Sequence, residues 1–101
     1  MQSAAIISTD KGFCVQGHVG FSNVVRLRHE GEKLLATLFI AKNAIEIDLS
    51  EMKDQDASPL SLLLCWMRFS KKNKSKLHFM HMPQSLQRMS NLFGLTDLWT
   101  N

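Results

Sequence analysis

The sequence predicts a single α/β domain whose elements follow one another in the order β-β-α-β-α-β-α over residues 1–101. The first supporting observation is that short strand-like stretches alternate with longer stretches whose apolar residues recur three and four positions apart. The second is a tight turn, Asp10-Lys11-Gly12, between the first two strand-like stretches. Strands joined through helices pair in parallel, whereas a tight turn joins an antiparallel pair. We therefore expect a mostly parallel four-stranded sheet with an antiparallel N-terminal strand.

The N-terminal half supplies the hairpin and the first helix. Residues 4–9 and 13–19 form the two hairpin strands, and the second strand alternates apolar and polar side chains. A helix is predicted over residues 22–39, because Ser22 or Asn23 can cap its start and an apolar stripe follows. The residues of that inward stripe are Val24, Leu27, Gly31, Leu34, Leu35 and Leu38.

The C-terminal half continues the alternation of strands and helices. A strand is predicted over residues 44–49, followed by an acidic loop over 51–56. A second helix follows over 58–72, and a further strand over 77–82. A third helix begins at Pro83 and ends at Gly94, as the preferences of these two residues indicate. The apolar residues within 96–99 are expected to dock on the core.

Composition narrows the class of protein. A hydrophobic content of 45% and a charged content of 21% are typical of a globular domain and argue against disorder. No apolar run approaches the roughly 20 residues of a membrane span, and the first residues lack the pattern of a secretion signal. Cys14 and Cys65 both lie within apolar patterns and are expected to be reduced. Together these features predict a cytoplasmic protein.

The sequence carries no constellation that is typical of catalysis or metal binding. The four histidines do not have zinc-type spacing with another ligand, and the glycines form no phosphate-binding loop. No nucleophile elbow is present. The three carboxylates of residues 51–56 lack the spacing of a calcium loop, and Asp56 is well placed to favour a helix N-terminus. Nothing in the sequence therefore demands catalysis, and we predict no metal or cofactor.

Ser58 has two interpretations. Followed by Pro59, it fits an N-cap residue with proline in the first helical position. It could also be a phosphosite, since negative charge is favoured at the start of a helix, but capping alone explains both residues. Both remain open.

The second helix is apolar on two nearly opposite sides. One stripe contains Leu60, Leu63, Leu64 and Met67, and the other contains Leu62, Cys65, Trp66 and Phe69. Either neighbouring helices bury both stripes, or the second one anchors a partner protein, a role for which tryptophan is suited. The predicted partner-binding residues are Asp56, Ser58, Ser61, Leu62, Cys65, Trp66 and Phe69.

The net charge is +3, and much of the positive charge lies in one run that contains Arg68, Lys71, Lys72, Lys74 and Lys76. Such a run could contact nucleic acid or anionic lipid, or it could be a solvated helix end. No aromatic residue is interleaved and no nucleic-acid motif accompanies it. We predict no nucleic-acid partner.

Four short motifs in this order resemble the STAS domain family: Ile47-Asp48-Leu49-Ser50, Asp56-Ala57-Ser58-Pro59-Leu60, Leu62-Leu63-Leu64, and Leu92-Phe93-Gly94-Leu95 with Leu98. The resemblance covers nearly the whole chain and implies a STAS-like fold, similar to that of the anti-sigma factor antagonists. The helix that starts at Leu60 is most similar to the stand-alone STAS subunits of bacterial Mla phospholipid transporters, the MlaB family.

That similarity implies a non-enzymatic cytoplasmic subunit that binds the ATPase of an ABC transporter maintaining outer-membrane lipid asymmetry. It implies a peripheral location at the inner membrane, with membrane contact only through the complex, and it leaves a homodimer open. The alternative is an anti-sigma factor antagonist regulated by serine phosphorylation. In such members a Ser or Thr follows the aspartate, but here Ala57 follows it and Pro59 replaces a glycine. The role is not transferred to Ser58.

Overall fold

The structure is a computed structural model that describes residues 4–54 and 56–94. Its strands are β1 (Ala5–Ser8), β2 (Gly12–Val19), β3 (Ala44–Asp48), β4 (Met52–Asp54) and β5 (Lys76–Met80). Its helices are α1 (Val24–Ala41), α2 (Ser58–Lys72) and α3 (Gln84–Leu92). The predicted order of elements is confirmed, with one additional short strand, β4. The predicted docking of residues 96–99 lies outside the described residues.

The sheet has the strand order β1-β2-β3-β5, and β4 pairs with β2 off this path. β1 is antiparallel to β2, whereas the β2–β3 and β3–β5 pairs are parallel, as predicted. Phe13, Ile47 and Phe79 lie side by side on neighbouring strands and fix the register. Both helices that cross from one parallel strand to the next therefore run in the same direction.

The short strand β4 lies in the segment predicted to be an acidic loop. Only the first part of the eight-residue strand β2 pairs with β3, so its second part needs another partner for its backbone groups. β4 supplies that partner, with Met52 opposite Gly17. Three residues are too short to give a recognisable alternating pattern, so the sequence does not reveal this strand.

The core lies between the sheet and the helices. In β3, Ile45 and Ile47 are fully buried, whereas Glu46 and Asp48 are half-buried, as expected for a strand that packs one face on the core. The inward stripe of α1 is confirmed. Its central members Leu27, Gly31 and Leu35 are buried, and Val24, Leu34 and Leu38 are half-buried.

Trp66 lies at the centre of this core. Its side chain is 0% exposed, and its ring meets that of Phe13 edge-on at a centroid distance of 5.3 Å. The indole N–H donates a hydrogen bond to the Arg28 backbone oxygen at 3.3 Å, which satisfies its polar atom. Gly31 of α1 faces the ring, since a Cβ built there would lie 2.4 Å from two of its carbon atoms.

This burial corrects part of the sequence-based site prediction. Trp66 is predicted to lie on a partner-binding surface, but its side chain is 0% exposed. The physical reason is that α1 covers the second apolar stripe of α2, because Gly31 leaves room for the indole. The alternative interpretation, in which neighbouring helices bury both stripes, therefore holds for Trp66.

The helix starts differ from the predictions in detail. Asn23 stands at the N-cap position of α1, but its side chain accepts the N–H of Gly20 and donates to the His18 oxygen instead of capping the helix. Ser58 is already helical, so it is not the N-cap of α2. The Asp56 carboxylate accepts the Ser58 N–H at 2.7 Å and satisfies a donor that the helix cannot.

At the carboxyl end of β3, the Asp48 carboxylate accepts the N–H of Ser50 at 2.9 Å and lies 3.1 Å from Nδ1 of His81. The Ser50 backbone N–H is the main cause that lowers the pKa of Asp48, and His81 adds to it. A lowered folded-state pKa means that the charged carboxylate stabilises the fold above the unfolded-state value near pH 4. That contribution is lost as the pH falls through the folded-state value.

We therefore expect Asp48→Asn to lower the melting temperature at pH 7 but not at a pH below the lowered pKa of Asp48. Asparagine can still accept the Ser50 N–H, so the difference isolates the charge. Thermal unfolding of both proteins between pH 7 and pH 2 measures it. A gap that stays constant on acidification would mean that packing, and not ionisation, is the cause.

Candidate partner-binding surface

The N-terminal ends of α1 and α2 lie side by side because the two helices run in the same direction between parallel strands. A groove of about 240 Å³ separates them. It is lined by Val24, Val25 and Arg28 of α1 and by Ser61, Leu62 and Cys65 of α2. We call this the upper groove.

Exposed apolar side chains flank the upper groove. Val25 is 59% exposed, and Phe21, in the loop before α1, is 82% exposed. Burying an exposed aromatic ring beside a groove is a common way to anchor a partner protein. The sequence-based prediction missed both residues. The signal that could have found them is that Val25 lies off the inward stripe of α1 and that Phe21 precedes the helix.

Asp56 lies in the loop from which α2 begins. The nearby Ser58 side chain and the hydrogen bond from the Ser58 N–H, with a smaller contribution from the backbone of Phe21, lower the pKa of the Asp56 carboxyl. The carboxylate is therefore charged at neutral pH. Phe21 lies three residues before Val24, the first lining residue of the upper groove.

The predicted partner-binding residues fall into three environments. Ser61 is exposed at the rim of the upper groove, and Cys65 is half-buried in its wall. Phe69 is half-buried one turn further along α2, where its ring stacks on that of Phe39 at 6.3 Å. Leu62 closes the floor of the groove, and Trp66 lies in the core beneath it.

Ser58 is 4% exposed in the first turn of α2. A kinase could reach its hydroxyl only if this turn opened, because the side chain has no free path to solvent. The structure therefore places Ser58 beneath the surface on which Ser61 is exposed.

The described residues offer little that points to metal chemistry. Within residues 4–54 and 56–94, no three His, Cys, Asp or Glu side chains are grouped so that they could hold a metal ion. A second, polar pocket of about 310 Å³ lies at the carboxyl end of β3, where Glu46, Asp48 and His81 contribute to its lining.

No helix within residues 4–54 and 56–94 is long and apolar enough to cross a membrane.

Comparison with known proteins identifies the class. A family model described as "Mlab, STAS domain" matches residues 12–100, so the chain belongs to the STAS domain family. The resemblance seen in the sequence motifs is thereby confirmed. No curated protein sequence gives a significant match.

Solved structures confirm the fold. The chain is similar to the anti-sigma factor antagonist SpoIIAA in its unphosphorylated form, with a TM-score of 0.70, 14% identity, and coverage of 97% of this chain and 86% of that one. The phosphorylated form of SpoIIAA, a Bacillus cell fate determinant, has a TM-score of 0.66 and 15% identity, with coverage of 97% of this chain and 89% of that one. An anti-sigma factor antagonist from Mycobacterium paratuberculosis has a TM-score of 0.63 and 16% identity, with coverage of 99% of this chain and 84% of that one. At these identities the likeness concerns the α/β fold alone.

Proposed function

We propose that this chain is a non-enzymatic cytoplasmic subunit that binds the ATPase of a phospholipid ABC transporter and thereby helps to maintain outer-membrane lipid asymmetry. The observation that carries the proposal is the upper groove between the starts of α1 and α2, with the exposed apolar side chain of Val25 in its lining. The description of the matching family model, which names MlaB, supports the choice of partner. Contact with the inner membrane is then made only through the complex.

The chemistry of the surface suits a protein partner. Phe21 and Val25 supply apolar area, while the exposed Ser61 hydroxyl and the charged Asp56 supply polar groups at the edge. An apolar centre with a polar rim is the usual anatomy of a protein interface. A stable interface buries about 800 Å² on each partner, so it would extend beyond the groove onto the neighbouring turns of both helices.

Val25→Glu is expected to weaken binding of the ATPase by tenfold or more. The change places a carboxylate in the apolar centre of the interface, where it loses its hydration without gaining a partner. The measurement is the dissociation constant for the purified ATPase subunit of an Mla-type transporter from the same organism, determined by calorimetry. Because Val25 is exposed in the free domain, the melting temperature of the variant should stay close to that of the wild type.

Ile40→Glu is the matched control, since Ile40 lies on the same helix, is 88% exposed and is four turns away from the upper groove. This variant should bind the ATPase like the wild type. If both variants bind equally well, the upper groove is not the binding surface. If the wild-type protein does not bind the ATPase, the proposed function is wrong.

The alternative is an anti-sigma factor antagonist controlled by serine phosphorylation. It has less support, because Ala57 occupies the position after the aspartate and the nearby Ser58 is buried. The likeness to SpoIIAA concerns the fold and does not by itself favour this role.

A further inference from the structure

The upper groove continues along the helix pair as a second groove, also of about 240 Å³. We call this the lower groove. It is lined by Arg28, Glu32, Cys65, Arg68, Phe69 and Lys72. Arg28 and Cys65 border both grooves, so the two form one continuous cleft between α1 and α2.

The lower groove is positively charged. Three of its lining side chains, Arg28, Arg68 and Lys72, are cations, and Glu32 is its one acidic member. In the part of the chain that the structure describes, the ion pairs are Arg26–Glu30 and Asp48–His81, so none of the three cations is paired. Over residues 57–94 the sequence has six Lys or Arg residues and no Asp or Glu. The surface of α2 therefore carries an excess of positive charge, and no acidic residue within 57–94 neutralises it.

Arg28 carries a further sign of an absent partner. Its Nε atom is buried, and among the described residues it has no hydrogen-bond acceptor. A buried donor without an acceptor is costly, so such atoms in a native protein call for an explanation. An acceptor brought by a binding partner would satisfy it, and a carboxylate is the strongest acceptor for a guanidinium.

The floor of the lower groove is apolar. Phe69 and Cys65 are half-buried there, and the stacked ring of Phe39 supports Phe69 from α1. From Val24 to Glu32 the cleft follows α1 for about 12 Å, since an α-helix rises about 1.5 Å per residue. That length accommodates a little over two turns of another helix. A helix that lays an apolar face on a groove is a common mode of recognition.

We infer that the cleft receives an acidic amphipathic helix of the partner protein, with its apolar face on Phe69 and Cys65 and its carboxylates on Arg28, Arg68 and Lys72. The inference rests on the proposed function, because it names the chemistry of the segment by which the ATPase is held. A nucleic acid or an anionic membrane would also contact Lys74 and Lys76, which are exposed and do not line the cleft.

Two double charge reversals test this inference. Arg68→Glu with Lys72→Glu changes the cleft, whereas Lys74→Glu with Lys76→Glu changes exposed residues outside it, and each pair lowers the net charge by four. We expect the first pair to weaken binding of the purified ATPase subunit by tenfold or more and to reduce its salt dependence. The second pair should change binding less than twofold. Lysine substitutions in the matching acidic helix of the ATPase should restore binding to the first pair.

The outcomes separate the two proposals. If Val25→Glu abolishes binding but the cleft pair binds like the wild type, the acidic helix is wrong and the proposed function stands. Equal weakening by both pairs would mean that net charge alone acts, which also overturns the inference. A third result would also overturn the inference. In it, the wild type binds phosphatidylglycerol vesicles through Lys74 and Lys76, and Arg68→Glu with Lys72→Glu leaves ATPase binding unchanged.

Discussion

Replacing Trp66 with alanine is expected to lower the free energy of unfolding by about 3–5 kcal/mol, the range for large-to-small changes in a core. The indole is fully buried, packs edge-on against Phe13 and donates its N–H to the backbone of Arg28. Alanine removes these contacts and leaves a cavity that the sheet and two helices cannot fill. Chemical denaturation followed by circular dichroism measures the change directly.

Leu63→Ala is the matched control, because Leu63 is equally buried and belongs to the core-facing stripe of the same helix. Its expected cost is about 2–5 kcal/mol. Both variants should therefore unfold far below the wild type. A Trp66→Ala protein that is as stable as the wild type yet no longer binds the ATPase would restore the original assignment of Trp66 to the partner-binding surface.

Gly31→Ala is expected to destabilise the domain by about 1–3 kcal/mol, as overpacking of a core does. On an exposed helix the same change would be favourable by about 1 kcal/mol, because alanine is the better helix former. Here the added Cβ would lie 2.4 Å from Cε2 and Cζ2 of Trp66. The indole cannot move aside easily because Phe13 and the Arg28 carbonyl hold it in place.

A double-mutant cycle with Trp66→Leu checks the cause of this effect. Leucine lacks the ring atoms that the new methyl group would meet, so Gly31→Ala should cost little or nothing in that background. The coupling free energy then exceeds about 0.5 kcal/mol, as expected for residues in contact. Additive effects of the two changes would show that the cost of Gly31→Ala arises in the helix backbone and not from the indole.

The order of the elements and the buried faces could be predicted from sequence because both are written in local periodicity. The inward stripe of α1 and the alternation in β3 needed only the spacing of apolar residues. The strand β4 could not be predicted, since it exists because the second half of β2 lacks a partner. That is a property of the sheet as a whole and leaves no pattern in residues 52–54.

The candidate site was predictable in part. The spacing of residues along α2 and the family motifs both point to this helix. Its residues Ser61 and Cys65 line the upper groove. The prediction that Trp66 lies on the partner-binding surface is wrong. The sequence of a helix with two apolar stripes does not show which stripe a neighbouring helix covers. The answer lies in Gly31, a distant residue whose missing side chain makes room for the ring. Phe21 and Val25 were missed because an exposed apolar residue has no periodic signature.

The parallel course of α1 and α2 gives the domain an electrical polarity. Each helix has a partial positive charge of about half a unit at its N-terminus, and in parallel helices these charges add where antiparallel ones would cancel. Both N-termini lie at the upper groove, whereas the cations of the lower groove lie toward the C-terminal ends and offset the negative partial charge there, so the surface between the two helices is positive along its length. An acidic partner would be turned into the correct orientation before contact, so salt should slow its association much more than it speeds its dissociation. The apolar residues of the surface would then set how long the complex lasts.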